Sequence, residues 1–218
     1  MNNKKYIPPI AFLGVSLLFT LLVKYVNPLP IGPNNTTVGF ASINGSIHDA
    51  IGINMGVKSI SSILGLVPIA LMLLLCAMAV ISMIMKKSIR RVDRYLLHSI
   101  SATFLLAFFY GVFEVVVINC RPIIEEGALM PEPSFPSSHT LLAVGGLGCV
   151  ITCITHIFGK KKTETIIITS ILYVIMIAIV ATRFISGVHW FTDIIGGILY
   201  GLTVWTTYNY LVTIPIKR

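Results

Sequence analysis

Six apolar runs, each about as long as a membrane-crossing helix, dominate this sequence and restrict its fold. They cover residues 7–26, 63–85, 95–119, 137–158, 165–185 and 189–212. A hydrocarbon core about 30 Å thick needs roughly 20 apolar residues per helix. Because lipid cannot satisfy backbone polar groups, a segment of this kind is expected to be helical. The sequence therefore predicts an all-α, six-transmembrane-helix bundle, with residues 1–218 forming a single domain.

The composition favours the same environment. Hydrophobic residues make up 56% of the chain and charged residues only 11%, and the mean hydropathy is +0.90. A soluble domain needs more charge on its surface. The net charge of +8 does not indicate a nucleic-acid binder, because the basic residues are scattered between apolar runs instead of being clustered on one polar face. We expect a membrane-embedded protein with no nucleic-acid partner.

The charges in the connecting segments predict an orientation. The basic residues of four terminal or connecting segments fall on one side of the expected membrane: Lys4, Lys5, Lys86, Lys87, Arg90, Arg91, Arg94, Lys160, Lys161, Lys162, Lys217 and Arg218. The opposite connections carry acidic residues: Asp49, Glu125, Glu126 and Glu132. By the positive-inside rule, both termini are expected to be cytoplasmic. We expect a multi-pass protein of the plasma (inner) membrane.

The connection between the first two runs, residues 27–62, is too long for a simple turn. Its middle, residues 47–60, mixes apolar and small side chains in a way that is typical of a short interfacial helix. Two roles remain open for this outer loop: a connector, or a cap over a lipid entrance.

Polar and ionisable residues gather at the predicted outer ends of the last four runs. Such residues are costly near hydrocarbon and usually serve a site. The set comprises Arg121, Ser137, Ser138, His139, Arg183, His189 and Asp193. Because these ends all lie on the extracytoplasmic side, the sequence predicts one polar site there.

The chemistry that suits this set is phosphoryl transfer, in which negative charge on the phosphoryl oxygens needs fixed donors. Arg121 and Arg183 are predicted to bind phosphate, because a guanidinium is planar, bidentate and always charged. The start of the fourth run offers free backbone N–H groups, with the hydroxyls of Ser137 and Ser138 beside them.

The two histidines are predicted to divide the catalytic roles. His189 and Asp193 are four residues apart, which on one helix would place them on the same face. The carboxylate would then orient the His189 ring as a nucleophile that forms a phosphohistidine. His139 is left as the general acid toward the leaving oxygen and then as the base toward water.

These residues resemble two signatures of the type-2 phosphatidic acid phosphatase superfamily. Pro136-Ser137-Ser138-His139 is similar to PSGH, and the stretch from Thr182-Arg183 through His189 to Asp193 is similar to SRxxxxxHxxxD. The resemblance implies the six-helix fold, a metal-free mechanism without a cofactor, and an active site at the outer face. It also implies a phosphorylated membrane lipid as substrate, such as undecaprenyl pyrophosphate, phosphatidylglycerophosphate, phosphatidic acid or lipid A.

The first signature of that family, KxxxxxxRP, is matched only at its end. Arg121-Pro122 is present, whereas Glu114 stands at the position of the lysine. On a continuous helix, residues 114 and 121 would share a face. Three interpretations stay open: Glu114 recognises an ammonium or hydroxyl group of the substrate, the phosphatase is weakened or specialised, or Glu114 forms a structural ion pair with Arg121.

Two other functions also stay open. The same histidine chemistry serves lipid phosphotransferases, and fold alone does not exclude them. A non-catalytic binder or transporter of anionic lipids would use the same basic layer, although transporters place their sites nearer the middle of the bilayer. Vanadium-dependent haloperoxidases share the signatures but are soluble, so the hydropathy of this chain argues against that class.

Overall fold

The computed structural model describes residues 5–125 and 127–214. Four charged residues used to predict the orientation lie outside the described residues: Lys4, Glu126, Lys217 and Arg218. Within the described ranges the regular structure is helical, and the only strand-like pairings are two isolated bridges, Leu29 with Val38 and Cys120 with Pro133.

The long helices follow the predicted apolar runs closely. In chain order the α-helices are α1 Ile7–Tyr25, α2 Ala41–Ile51, α3 Met55–Leu64, α4 Leu66–Lys86, α5 Arg94–Val115, α6 Ser138–Leu141, α7 Gly148–Phe158, α8 Thr163–Ile185 and α9 Phe191–Leu211. A π-helical turn, Leu142–Leu147, joins α6 to α7, so that the fourth predicted run is one continuous helical segment, Ser138–Phe158.

Five helical segments in the described chain are long and apolar enough to cross a membrane. They are Ile7–Tyr25, Met55–Lys86, Arg94–Val115, Ser138–Phe158 and Thr163–Ile185. The predicted sixth span corresponds to α9, which has 21 residues but is less apolar. Much of α9 is buried against other helices, including Gly196, Thr203 and Tyr208, so it does not need a lipid-facing composition. The count of six spans and the cytoplasmic termini stay predictions.

The predicted end of the third run is wrong. The third run was expected to be helical to residue 119, but α5 ends at Val115. Residues 115–118 are all β-branched, which disfavours helix. Arg121 instead lies in an extended segment, where its N–H donates to the carbonyl of Glu132 at 2.9 Å. The expectation that residues 114 and 121 share a helical face is therefore incorrect.

The outer loop forms two helices where one was expected. The break between α2 and α3 falls at Gly52–Asn54, inside the predicted interfacial segment. The Asn54 side chain accepts a hydrogen bond from Val57 N at 3.0 Å and so caps α3. The Asn54 N–H donates to the carbonyl of Ser186 at 3.0 Å. The α2–α3 pair is thus attached to the connection between α8 and α9.

Helix α9 packs closely against α6 and the π-helical turn. A Cβ atom added at Gly197 would lie 2.7 Å from the Thr140 Cβ, and one added at Gly201 would lie 2.7 Å from the Val144 Cβ. Only glycine permits backbones to approach this closely. The close contact sets the start of α6 beside the first turn of α9, where the Ser137 N–H donates to the carbonyl of Asp193 at 2.9 Å.

Candidate active site

Three separate segments meet around the ring of His189. This residue lies in the connection between α8 and α9 and is 4% exposed. A guanidinium nitrogen of Arg121, Nη1, lies 3.4 Å from His189 Nε2. Since guanidinium can only donate, Nε2 is the acceptor and the ring proton is on Nδ1. The nitrogen with the free electron pair therefore faces the cation that would hold a phosphate.

Cations surround His189. Burial and, after it, the nearby charges of Arg121, Arg183 and His139 hold the pKa of the His189 imidazole well below the usual value of 6.5. The ring is therefore neutral at physiological pH. Arg121, Arg183 and His139, which come from three different parts of the chain, therefore all affect the charge state of one imidazole.

Asp193 lies behind the ring but does not reach it at hydrogen-bonding distance. Its Oδ2 is 3.7 Å from His189 Nδ1 and accepts a hydrogen bond from the Trp190 N–H at 3.0 Å. Helix α9 begins at Phe191, so the two residues do not share a helical face as predicted. They meet because the chain turns into the helix between them. The carboxylate still faces the protonated nitrogen, as an orienting group must.

Arg183 and His139 complete the ring of polar groups. Arg183 lies in the last turn of α8 and is 2% exposed, and its Nε and Nη1 have no hydrogen-bond partner among the residues that the structure describes. His139 is the second residue of α6. A Cβ atom added at Gly65 would lie 2.3 Å from His139 Cδ2, so the glycine between α3 and α4 makes room for the imidazole.

Arg121 is paired with carboxylates other than Glu114. Its Nη1 lies 3.5 Å from Glu125 Oε1, and its Nε lies 3.3 Å from Glu132 Oε2. Glu125 also binds Lys58, from α3. Glu114 is exposed in the last turn of α5. The geometry thus gives no support to an ion pair between Glu114 and Arg121, and the other two interpretations of Glu114 remain.

A cavity of about 220 Å³ opens onto these groups. Its wall includes Arg121, Ser138, His189, Glu114 and Glu132. Ser137 does not line it, although a phosphate-binding role was predicted for that residue: it is fully buried, and its hydroxyl accepts a hydrogen bond from Thr140 Oγ1 at 3.1 Å. The structure therefore brings the serine at position 138, and not its neighbour, to the cavity.

A second, apolar cavity of about 400 Å³ lies beside the first, between α4, α5 and α6. It shares Tyr110, Ser138 and Leu141 with the polar cavity, and His139 is on its wall. The remaining lining residues are largely aliphatic: Ile69, Met72, Leu73, Thr103, Leu106, Ala107 and Leu142. The polar and apolar cavities are thus adjacent and meet at the start of α6.

Several polar residues that support the site were not predicted. Asn119 Nδ2 donates to Asp193 Oδ1 at 3.2 Å. Asn44, from α2, donates to Thr192 Oγ1 at 2.9 Å. The indole N–H of Trp190 donates to the carbonyl of Cys120 at 2.7 Å. An amide at the end of the third apolar run was a visible signal for Asn119, whereas nothing in the sequence distinguished Asn44.

The chain can be compared with known proteins through this region. Residues 95–215, more than half of the chain, match the model of the PAP2 superfamily. The chain belongs to the PAP2 superfamily. The matched segment contains Arg121, His139, Arg183, His189 and Asp193, so the family assignment and the polar cluster rest on the same part of the molecule.

The fold of this PAP2 protein is similar to that of a solved structure, the first transmembrane PAP2 type phosphatidylglycerolphosphate phosphatase from Bacillus subtilis. The TM-score is 0.63 at 15% sequence identity, and the match covers 93% of this chain and 94% of the other. Likeness at this identity is evidence for a common fold. No curated protein matches the chain.

Proposed function

We propose that this PAP2 protein is an integral membrane lipid phosphatase that hydrolyses a phosphomonoester or pyrophosphate at the extracytoplasmic face. The observation that carries the proposal is the buried guanidinium of Arg183, with two donors that have no partner within the described ranges. A buried cation of this kind is costly unless an anion compensates it. Arg183 and Arg121 both lower the pKa of the His189 imidazole, which supports a phosphate site shared by the two guanidinium groups beside the proposed nucleophile.

The proposed reaction assigns the nucleophilic attack to His189 and the proton transfers to His139. His189 Nε2 attacks phosphorus, a P–N bond forms, and the bond from phosphorus to the lipid oxygen breaks. His139, entering the step as imidazolium, gives its proton to that oxygen. In the second step His139 takes a proton from water, whose oxygen attacks phosphorus, and the P–N bond breaks to release inorganic phosphate. Asp193 stabilises the positive charge on the His189 ring, from 3.7 Å.

The substrate is proposed to be a lipid because of the apolar cavity between α4 and α5. A hydrocarbon chain in that cavity would lie beside Ser138 and His139, with its phosphate in the polar cavity that Ser138 also lines. The candidates are phosphatidylglycerophosphate, undecaprenyl pyrophosphate, phosphatidic acid and lipid A. The Bacillus subtilis protein of similar fold, described as a phosphatidylglycerolphosphate phosphatase, makes the first of these the natural starting point.

Phosphate release from this set of lipids tests the proposal. Purified protein in detergent is incubated with each lipid in the presence of a chelator, and released phosphate is measured for the wild type, His189→Ala and His156→Ala. The last variant is the control, because His156 is paired with Asp93 away from the cavity. We expect release by the wild type and by the control only. Equal release by wild type and His189→Ala, or none from any lipid, contradicts the proposal.

A further inference from the structure

Carboxylates outnumber the one arginine on the wall of the polar cavity. Glu114 and Glu132 line the cavity beside Arg121, and Glu125 is paired with Arg121. A phosphate dianion brought into this set would meet more negative than positive charge unless a further cation takes part. Lys58 is the cation that the structure places there, through its ion pair with Glu125.

Lys58 is held in place by the backbone around it. It lies in the first turn of α3, where its N–H donates to the carbonyl of Asn54 at 3.0 Å. Asn54 in turn donates from its own N–H to the carbonyl of Ser186, three residues before the proposed nucleophile. The backbone of Lys58 is thus tied to the connection that carries His189.

One carboxylate lies between Lys58 and Arg121. Glu125 accepts from the Lys58 ammonium with Oε2, while its Oε1 is 3.5 Å from Arg121 Nη1, the same nitrogen that lies 3.4 Å from His189 Nε2. An anionic group with two oxygens is therefore already bound between Lys58 and Arg121, beside the proposed nucleophile.

We propose that Lys58 is a phosphate-binding residue of this site, and that the Glu125 carboxylate occupies the position that the substrate phosphate takes between Lys58 and Arg121. The inference rests on the proposed function for the nature of the substrate. Phosphate displaces Glu125 from the two cations. Lys58 then supplies a positive charge that compensates the negative charge of Glu114. The outer helix α3 is thereby part of the active site and not only a connector.

Binding of inorganic phosphate tests this without requiring turnover. Isothermal titration calorimetry is performed on the full chain in detergent, with Lys58→Met, Lys58→Arg, Glu125→Gln and the control Lys24→Met, whose side chain lies over Tyr25 at the end of α1. Loss of a hydrogen bond to a charged group predicts binding weaker by about tenfold for Lys58→Met. Lys58→Arg and Lys24→Met are expected to bind as the wild type does. Glu125→Gln is expected to bind more tightly, because the competing negative charge is gone.

Three results overturn the inference: no phosphate binding by the wild type, binding by Lys58→Met within twofold of that by Lys24→Met, or binding by Glu125→Gln that is equal to or weaker than the wild type. Circular dichroism and size-exclusion profiles establish that each variant is folded. Failure of the proposed function is distinguishable, since a wild type that binds phosphate through Lys58 but releases none from any lipid would contradict the phosphatase and leave the binding role intact.

Discussion

Among single residues, the proposed attack of His189 on phosphorus depends on the position of one proton. Arg121 donates toward Nε2, which places the proton on Nδ1 and the free electron pair toward the cavity. Asp193 faces Nδ1 from 3.7 Å and is itself fixed by hydrogen bonds from Trp190 N and Asn119 Nδ2. The acid therefore stabilises one tautomer without needing to take the proton.

Asp193→Asn is expected to lower kcat by about 10²–10⁴-fold, because an amide can present its NH₂ group to Nδ1 and favour the wrong tautomer. Phosphate binding should change little, since the cations remain. Steady-state kinetics with the preferred lipid and calorimetry with inorganic phosphate measure the two effects separately. Asp49→Asn, at an exposed acid on α2, is the matched control. A similar loss of kcat in both variants would assign the effect to general disturbance.

The second prediction is that the pKa of His189 is lowered. Burial and three neighbouring cationic groups lower it, so the ring should stay neutral as the pH falls below 6.5, and a nucleophile should be present in mildly acidic medium. Histidine-labelled NMR, with the His189 signal assigned by its absence from His189→Gln, measures this directly. A titration midpoint at or above about 6.5 would contradict the electrostatic description of the site.

The sequence was sufficient to identify the charged residues and the residues proposed to react. It was not sufficient to identify the residues that position them through hydrogen bonds and ion pairs. Arg121, His139, Arg183 and His189 were visible because ionisable groups are rare near hydrocarbon. Asn44 and Lys58 were not, since their partners, Thr192 and Glu125, are 148 and 67 residues away in the chain. A polar residue in an outer loop carries no signal of such a distant contact.

At the scale of elements, the connection between α8 and α9 is clamped by the corner between α2 and α3. The His48 ring nitrogen Nε2 lies 3.1 Å from the carbonyl of Gly187, and the His48 ring packs 5.2 Å from that of Trp190. A Cβ atom added at Gly187 would lie 1.9 Å from the Gly52 carbonyl oxygen. At Gly187 and Gly52 the two connections also meet backbone to backbone, two residues before the proposed nucleophile.

Gly187→Ala is therefore expected to push the α2–α3 corner away, lowering both kcat and the melting temperature. Gly52→Ala is a matched control, because both glycines have φ of +68° but a Cβ atom at Gly52 meets nothing within 4 Å. Both variants place an alanine at a positive φ, at a cost of about 1–3 kcal/mol. Only Gly187→Ala adds the clash with the carbonyl oxygen of Gly52. Equal losses of melting temperature and activity in the two variants would show that the contact is unimportant.

The sequence was sufficient to predict that the long helices exist, but not where α5 ends or where α9 begins. The length of each apolar run predicts the ends of the long helices to within a few residues, because an apolar run of that length is stable as a helix across the hydrocarbon core. The end of α5 at Val115 and the start of α9 at Phe191 depend instead on contacts with loops. Arg121 and His189 lie just outside those ends, in extended or turning chain, and their side chains meet for that reason.

Across the whole molecule, helix α9 packs against other helices instead of facing lipid along its length. Its Tyr200 ring lies 4.8 Å from that of Phe109 and 5.1 Å from that of Phe113, and the Tyr200 hydroxyl is 2.9 Å from Thr20 Oγ1 on α1. A helix surrounded by protein tolerates glycine and hydroxyl side chains that a lipid-facing helix would not. Apolar length alone therefore identifies five spans and understates the central one.

The orientation of the protein in the membrane decides on which side the proposed site lies. With the four native cysteines replaced, Asn34→Cys reports on the side of the α2–α3 helices and Lys161→Cys on the connection between α7 and α8. Because the basic connections should remain in the cytoplasm, a membrane-impermeant maleimide should label Asn34→Cys in intact cells and Lys161→Cys only after permeabilisation. The reverse pattern would place Arg121 and His189 toward the cytoplasm, where the phosphate would have to come from a lipid of the inner leaflet.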